Sequence, residues 1–346
     1  MTYPLHPFAL HRPRTAAEAV ALAQRHPGAL YLAGGTDLMV NLRKRLREPE
    51  HVIDLKAVDE LRGVRVTGTH LEIGALTPLT ELSQHAEVRA RLPMLAEAAG
   101  LVAGPTLRNM ATLGGNLVLD TRCRYYNQSR FWRQANAFCL KKDGTVCHVA
   151  PGGQFCWAAF CADTPPVLLL LDAELDLAGP GGPRTVPLKG FYGKDGRWSI
   201  GTEPGGLAPG ELILRARMPL PPPGWSGAYE KLRVRDSIDF PLVGVALTVR
   251  WEREESHRIA ELRLALTAVN TRPEVVPGTA DLAGRELDLA ALDDLKRLAN
   301  RAGKPMRSTV ADPAYRRAMI GALVEKAAAR LAPALAPLLA RQAQWA

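Results

Sequence analysis

Residues 29–46 read ALYLAGGTDLMVNLRKRL, and the fold is read outward from this stretch. Leu30, Tyr31 and Leu32 make a short apolar strand, Gly34-Gly35 turn the chain, and a helix starts at Asp37 or Leu38. Glycine tolerates positive φ and lets a ligand or another backbone come close, while the unpaired N–H groups of a helix start attract a phosphate. A second stretch, residues 111–117 (ATLGGNL), repeats the device. Thr36, Asp37, Thr112 and Asn116 add short polar groups at the same two places. Either loop alone reads as a tight turn. Neither is the G-x-G-x-x-G fingerprint of a dinucleotide site, and no Walker A motif is present.

The flanking sequence fills in an α+β chain. Thr15 with Glu18 forms a capping box for a helix over 15–27, whose apolar face is Ala16, Val20, Leu22 and Ala23. HVIDLKAV (51–58) and HLEIGALTPLTEL (70–82) supply two strands and a helix start at Thr77-Pro78. PMLAEAAGLVAG (93–104) predicts a helix ended by Gly104, and PPVLLLLDAELDLAGPGGPRTVPL (165–188) predicts strands joined by a Gly/Pro turn. Beyond Gly224 the alternating stretches FPLVGVALTVRWERE (240–254) and RIAELRLALTAVNTRP (258–273) predict antiparallel strands with one buried face. Helices follow over 289–303 and 312–342, the second packing Met319, Ile320, Leu323, Val324, Ala327 and Leu331 on that sheet. The change of pattern marks off a separate α+β unit at 221–335, followed by a tail at 336–346 that frays.

Composition narrows the function. With 47% hydrophobic residues and 23% charged ones, the 346-residue chain has ample core. No apolar run approaches the length of a membrane span, and the N-terminus lacks a secretory pattern, which points to a reducing cytoplasm. The net charge of +9 comes from dispersed Lys and Arg, and 6% aromatics offer no stacking platform, so nucleic acid is not an expected partner.

Four of the five cysteines lie in one segment, CRYYNQSRFWRQANAFCLKKDGTVCHVAPGGQFC (123–156). Cys123, Cys139, Cys147 and Cys156 are separated by 15, 7 and 8 residues. These gaps match neither the close pairs of a zinc ribbon nor the bacterial ferredoxin run. On spacing alone a structural metal, an iron–sulfur cluster and incidental thiols all remain open. Cys161 reads as a buried structural thiol, and His148 as a surface group or a neighbour of the cysteine site.

Taken in order, the motifs YLAGGTDLMV, IGALTPLTEL, LRNMATLGGNL, ADTPPVLLLLDA, PGELI, YEKLRVRDSIDFPLVGVAL and DPAYRRAMIGALV resemble the flavoprotein subunits of the molybdenum hydroxylase family along nearly the whole chain. The resemblance implies a two-part FAD-binding domain of the vanillyl-alcohol-oxidase type, with subdomains 1–57 and 58–220. It implies a C-terminal domain of the CO dehydrogenase flavoprotein type after it. By the same resemblance, Leu32, Ala33, Gly34, Gly35, Thr36, Asp37 and Leu38 hold the pyrophosphate of FAD, and Ile73, Ala75 and Thr77 lie near its adenine half. Ala111, Thr112, Gly114, Gly115 and Asn116 form a second cradle. Asp163, Leu212 and Lys231 fall near the ribityl chain or the ring, where a lysine would stabilise negative charge on the reduced flavin. The resemblance implies no acid–base catalytic residue in this chain.

Most members pass almost directly from GGN to the D-x-x-P stretch, whereas here an insertion at about 122–161 intervenes. It is similar to that of the β subunit of 4-hydroxybenzoyl-CoA reductase, which implies a [4Fe-4S] cluster on Cys123, Cys139, Cys147 and Cys156. Arg122, Arg124, Arg130, Arg133, Lys141 and Lys142 would offset its charge, and Phe131, Trp132 and Phe138 would keep water away. The resemblance further implies electrons passing from ferredoxin through the cluster and FAD to a [2Fe-2S] small subunit and a molybdopterin large subunit, for reductive dehydroxylation of an aryl-CoA. Two other readings stand beside it: an oxidising hydroxylase with outward flow, and a non-redox protein whose cysteines clip zinc.

Overall fold

The computed structural model describes residues 4–197, 206–253 and 257–343. Glu254, at the end of one expected strand, and residues 344–346 of the expected tail lie outside them.

The first unit is a small parallel sheet of β1 (Ala9–His11), β2 (Leu30–Leu32) and β3 (His51–Asp54), in the order β1-β3-β2. Helix α1 (Ala16–Arg25) starts where the capping box places it: the Thr15 side chain accepts from the Glu18 N–H at 3.1 Å, and the Glu18 carboxylate reaches back to the Arg14 N–H at 2.7 Å. Its buried face of Ala16, Ala19, Val20 and Ala23 packs in one cluster with Ile53 of β3.

The second unit is an antiparallel sheet of β4 (Val64–Thr67), β5 (His70–Gly74), β6 (Glu174–Ala178), β7 (Arg184–Pro187) and β8 (Leu212–Pro219), ordered β4-β5-β8-β6-β7. Two expectations change here. The apolar run after Asp163 is a helix, Thr164–Leu170, and the strands begin only at Glu174. Every residue of that helix is buried, so the sequence carries no amphipathic period to separate it from a buried strand. The helix expected to end at Gly104 stops at Gly100, and Gly104 instead precedes a further turn of helix, Pro105–Arg108, with proline in its first turn.

The third unit is the antiparallel sheet β9 (Trp225–Leu232), β10 (Val243–Trp251), β11 (Ile259–Thr267) and β12 (Glu274–Val275), with helices Leu289–Ala302 and Pro313–Leu331 packed on it. The expected tail is helical over Leu335–Ala343. This unit is fastened to the second by a shared core, in which Tyr229, Ala246 and Ala265 join the cluster of the five-stranded sheet. Ion pairs reinforce it: Arg263 donates to both oxygens of Asp172 at 2.7 Å, and Arg330 reaches Glu97 and Glu230. Among the described residues no helix is long and apolar enough to cross a membrane.

Candidate cofactor sites

The two glycine loops meet each other. A Cβ on Gly34 would lie 1.7 Å from the Met110 carbonyl oxygen, and one on Gly114 would lie 2.8 Å from the Ala75 Cβ. Gly35 takes φ +74°, which the turn from β2 into helix α2 (Leu38–Arg43) requires. In the second loop Thr112 caps the helix Leu113–Leu117 by accepting from the Gly115 N–H at 3.1 Å. Asn116 is held by Thr164, whose hydroxyl and N–H donate to its Oδ1 at 2.7 and 3.2 Å.

Between the loops runs an open cleft of about 380 Å³, reaching from the parallel sheet to residues 238–240 of the third unit. Of the residues singled out from sequence, Ala33, Gly34, Gly35, Thr36, Asp37, Leu38, Ala75, Ala111, Thr112, Gly114, Gly115, Asn116, Asp163 and Leu212 line it. Four do not. Leu32 and Ile73 are buried in the sheets behind it. Thr77 is turned inward, its hydroxyl donating to the Gly63 carbonyl at 3.2 Å and accepting from the Gly63 N–H at 3.0 Å. Lys231 lies behind Asp163: its Nζ donates to Asp163 Oδ2 at 3.0 Å and to the Leu101 carbonyl at 2.8 Å, while the Tyr229 hydroxyl donates to Asp163 Oδ1 at 2.7 Å. Lys231 therefore acts on the cleft through the carboxylate in front of it.

Sequence reasoning missed several lining groups. Arg122, assigned above to the cysteine site, faces this cleft instead: it pairs with Asp37 at 3.0 Å and lies over the Phe240 ring, 4.1 Å from its centroid. Burial pushes the Asp37 carboxyl upward, against the pull of Arg122. Arg47 also lines the cleft, and the buried Asn41 Oδ1 has no hydrogen-bond partner. Two guanidinium groups, an orphaned polar atom and a cradle that a single Cβ would fill suit an elongated anionic ligand such as FAD. Cys161 borders the same cleft, and burial pushes its thiol up to about 11, so it stays neutral near pH 7.

The insertion is closed at its base by reciprocal bonds between Arg122 and Ala159, at 2.7 and 2.8 Å. Within it Cys123, Cys139, Cys147 and Cys156, all buried, line one small cavity of about 10 Å³. Cys161 is not among its walls. Two of the four are held by neighbouring groups: the Asn127 side chain accepts from the Cys123 N–H at 2.9 Å, Asp195 accepts from the Cys156 N–H at 3.1 Å, and the Ala158 N–H points at Cys156 Sγ from 3.4 Å. The Gly144 N–H donates to the Cys139 carbonyl at 3.1 Å, and a Cβ on Gly144 would strike the Cys139 nitrogen.

The expected surroundings are partly revised. Phe131 is 72% exposed, and neither it nor Trp132 nor Phe138 lines the cavity; Tyr125, Tyr126, Leu140 and Val149 wall it instead. His148 also borders it, its Nε2 bonded to the Phe138 carbonyl. Of the six basic residues only Lys141 lines the cavity; its Nζ donates to Asp120 at 2.7 Å. Arg133 is buried and spans Asp143 at 3.3 Å and the Arg45 carbonyl at 3.0 Å, so it ties the insertion to the chain after α2.

Among the described residues, the only group of three or more His, Cys, Asp or Glu ligand atoms all within 4.8 Å of one another is His11, His26 and His51. No three cysteine sulfurs lie that close. A zinc tetrahedron with Zn–S bonds of about 2.3 Å sets its sulfurs about 3.8 Å apart, so the quartet is more widely spread than a zinc site.

A nucleotide cleft between a small parallel sheet and an antiparallel one, with a helix-covered sheet behind it, defines a class of flavoprotein subunit. Comparison with known proteins agrees: residues 6–221 match the FAD binding domain in molybdopterin dehydrogenase, and residues 227–331 match the CO dehydrogenase flavoprotein C-terminal domain. The chain belongs to the FAD-binding subunits of the molybdenum hydroxylase family. It is 32% identical to the carbon monoxide dehydrogenase medium chain of Hydrogenophaga pseudoflava over 324 residues, 92% of this chain and 95% of that one. It is 37% identical to the aldehyde oxidoreductase FAD-binding subunit PaoB of Escherichia coli over 251 residues, 70% of this chain and 77% of that one. Among solved structures, the CO dehydrogenase of H. pseudoflava aligns with TM-score 0.75 at 29% identity, covering 94% of this chain and 97% of that one.

Proposed function

We propose that this chain is the electron-transfer subunit of a molybdenum-dependent aryl-CoA reductase, carrying a [4Fe-4S] cluster on Cys123, Cys139, Cys147 and Cys156 beside its FAD. The observation that carries the reading is the convergence of four buried cysteines, far apart in sequence, on one cavity with a spread wider than zinc would give. In the cleft, the loops at residues 33–38 and 111–116 hold the FAD, with Arg47 and Arg122 facing its phosphates. Asp163, held by Lys231 and Tyr229, sets the charge at the far side. The flavin supplies a junction between one- and two-electron transfer, and the cluster a one-electron relay. Ala158 N–H, aimed at Cys156 Sγ, and Lys141 beside it stabilise thiolate charge and orient the ligands.

The partners in this proposal are a molybdopterin large subunit and a [2Fe-2S] small subunit, with ferredoxin as donor, in the cytoplasm. The substrate, a 4-hydroxybenzoyl-CoA-like thioester, would be bound by the large subunit. An oxidising hydroxylase with the same flavin site and outward flow is the nearer alternative, since the named relatives are dehydrogenases and oxidoreductases. A structural zinc clip is the second alternative, for which the cavity of about 10 Å³ between the four cysteines is the supporting observation, being the size of a single ion.

Iron, sulfide, zinc and flavin per chain on anaerobically purified protein separate these readings, with an EPR spectrum after dithionite reduction. About four irons and four sulfides with one FAD, and a reduced-cluster signal lost in Cys139→Ser, support the reductase-like reading. FAD without iron leaves an ordinary hydroxylase flavoprotein, and zinc in place of iron makes the insertion a clip.

A further inference from the structure

His11, His26 and His51 form a second candidate ligand set, remote in sequence from the cysteines. Three short facts bring them together. His11 pairs in register with Ile53 across the parallel β1–β3 ladder, and His51 sits two residues before Ile53, so both side chains stand on the same face of the sheet. Ile53 is packed against α1, so this is the face the helix covers. His26 is the residue that ends α1, its N–H donating to the Leu22 carbonyl at 3.0 Å, and the helix end hangs over the two strand histidines.

The rings touch. His11 Nε2 and His51 Nδ1 are 3.0 Å apart, the His26 and His51 centroids 3.9 Å, and those of His11 and His26 4.7 Å. One ligand nitrogen from each lies within 4.8 Å of the other two, and all three residues are half-buried. We propose that these three histidines bind a divalent transition ion of the zinc class, which clips β1, β3 and α1 together. Tetrahedral Zn–N bonds of about 2.0–2.1 Å set nitrogens about 3.4 Å apart, so the His11–His51 pair opens by a few tenths of an ångström and His26 turns its ring edge inward. With a metal bound, His11 Nε2 and His51 Nδ1 both present lone pairs to it, so each ring carries its proton on the outer nitrogen. Three neutral nitrogen donors without a carboxylate select zinc, copper or nickel over calcium or magnesium, and leave one position for water. Arg25 beside His26 works against bound positive charge, so affinity rests on the three nitrogens. The unit that gains is the smallest of the three, with strands of three or four residues, where a metal clip adds most.

The test is equilibrium dialysis of the full chain against zinc, with metal counted by mass spectrometry and the zinc environment read by X-ray absorption. Wild type is expected to take up one more zinc per chain than either His26→Asn or His51→Gln, with nitrogen or oxygen neighbours at about 2.0 Å. Zinc is also expected to raise the thermal midpoint of wild type and not of the variants, with flavin content unchanged in all three. Equal zinc in wild type and both variants overturns the proposal, as does a shell of sulfur alone at about 2.3 Å, which would place the ion in the cysteine cavity.

Discussion

Lys231 Nζ lies 3.0 Å from Asp163 Oδ2, with the two side chains 1% and 3% exposed. The pair closes the back of the flavin cleft, and Asp163 alone of the two reaches its surface. Removing one partner leaves a buried charge without compensation, while removing both does not. Lys231→Met is therefore expected to lower stability by about 3–5 kcal/mol, read as a shift in the urea midpoint. The double variant with Asp163→Asn should recover part of it; equal losses in the single and double variants would show that the two groups are not coupled.

The close approach of the glycine loops gives a sharp steric prediction. Gly34→Ala drives a methyl into the Met110 carbonyl, 1.7 Å from the Cβ position. It should cost about 3 kcal/mol and lower the flavin retained on gel filtration. Gly152→Ala, which meets nothing within 4 Å, should stay within about 0.5 kcal/mol of wild type and keep its flavin.

Arg316 is fully buried and donates to the Leu242 carbonyl at 2.9 Å, the Met306 carbonyl at 3.0 Å and the Ala268 carbonyl. Those acceptors come from three separate segments, so one guanidinium pins the helix Pro313–Leu331 to the sheet. Arg316→Ala orphans all three, and at about 1.5–3 kcal/mol for a charged hydrogen bond we expect a loss of about 3–5 kcal/mol. Arg316→Lys should recover only a fraction, since an ammonium lacks the planar fork. A wild-type melting curve for Arg316→Ala would refute this.

Cys161 sets an alkaline limit. Burial raises its thiol from 9.0 to about 11, so the native state keeps a proton that the unfolded chain gives up first. The associated stability is complete below about pH 9 and is lost as pH rises through about 11. Between pH 7 and 10.5 the wild type should lose about 2 kcal/mol more than Cys161→Ala. Urea midpoints at the two pH values measure the difference, and identical slopes for both proteins would exclude it.

Much of the cleft was legible in the chain itself because its chemistry is local. Gly34-Gly35 sit where β2 feeds α2, and short-range geometry alone demands glycine at Gly35. Gly114-Gly115 lie instead inside the helix Leu113–Leu117, and glycine is demanded at Gly114 by the Ala75 Cβ 2.8 Å from where its own Cβ would stand. Arg47 and Arg122 gave no such signal: each sits in an unremarkable polar stretch and reaches the cleft only because the chain folds back. Thr77 misled for the converse reason, since a threonine beside a strand end can turn in or out, and here Gly63 captures it.

The sequence by itself determined the α+β character, the glycine turn at Gly34-Gly35, the capping of α1 at Thr15 and the segment that gathers four cysteines, because each depends on residues a few positions apart. Only the tertiary structure decided the rest. The run Thr164–Leu170 became a helix because burial on every side erased its period. Lys231 was turned from the cleft by the carboxylate in front of it. Cys123, Cys139, Cys147 and Cys156 came to share one cavity, and His11, His26 and His51 one stack, through contacts between elements that no local spacing encodes.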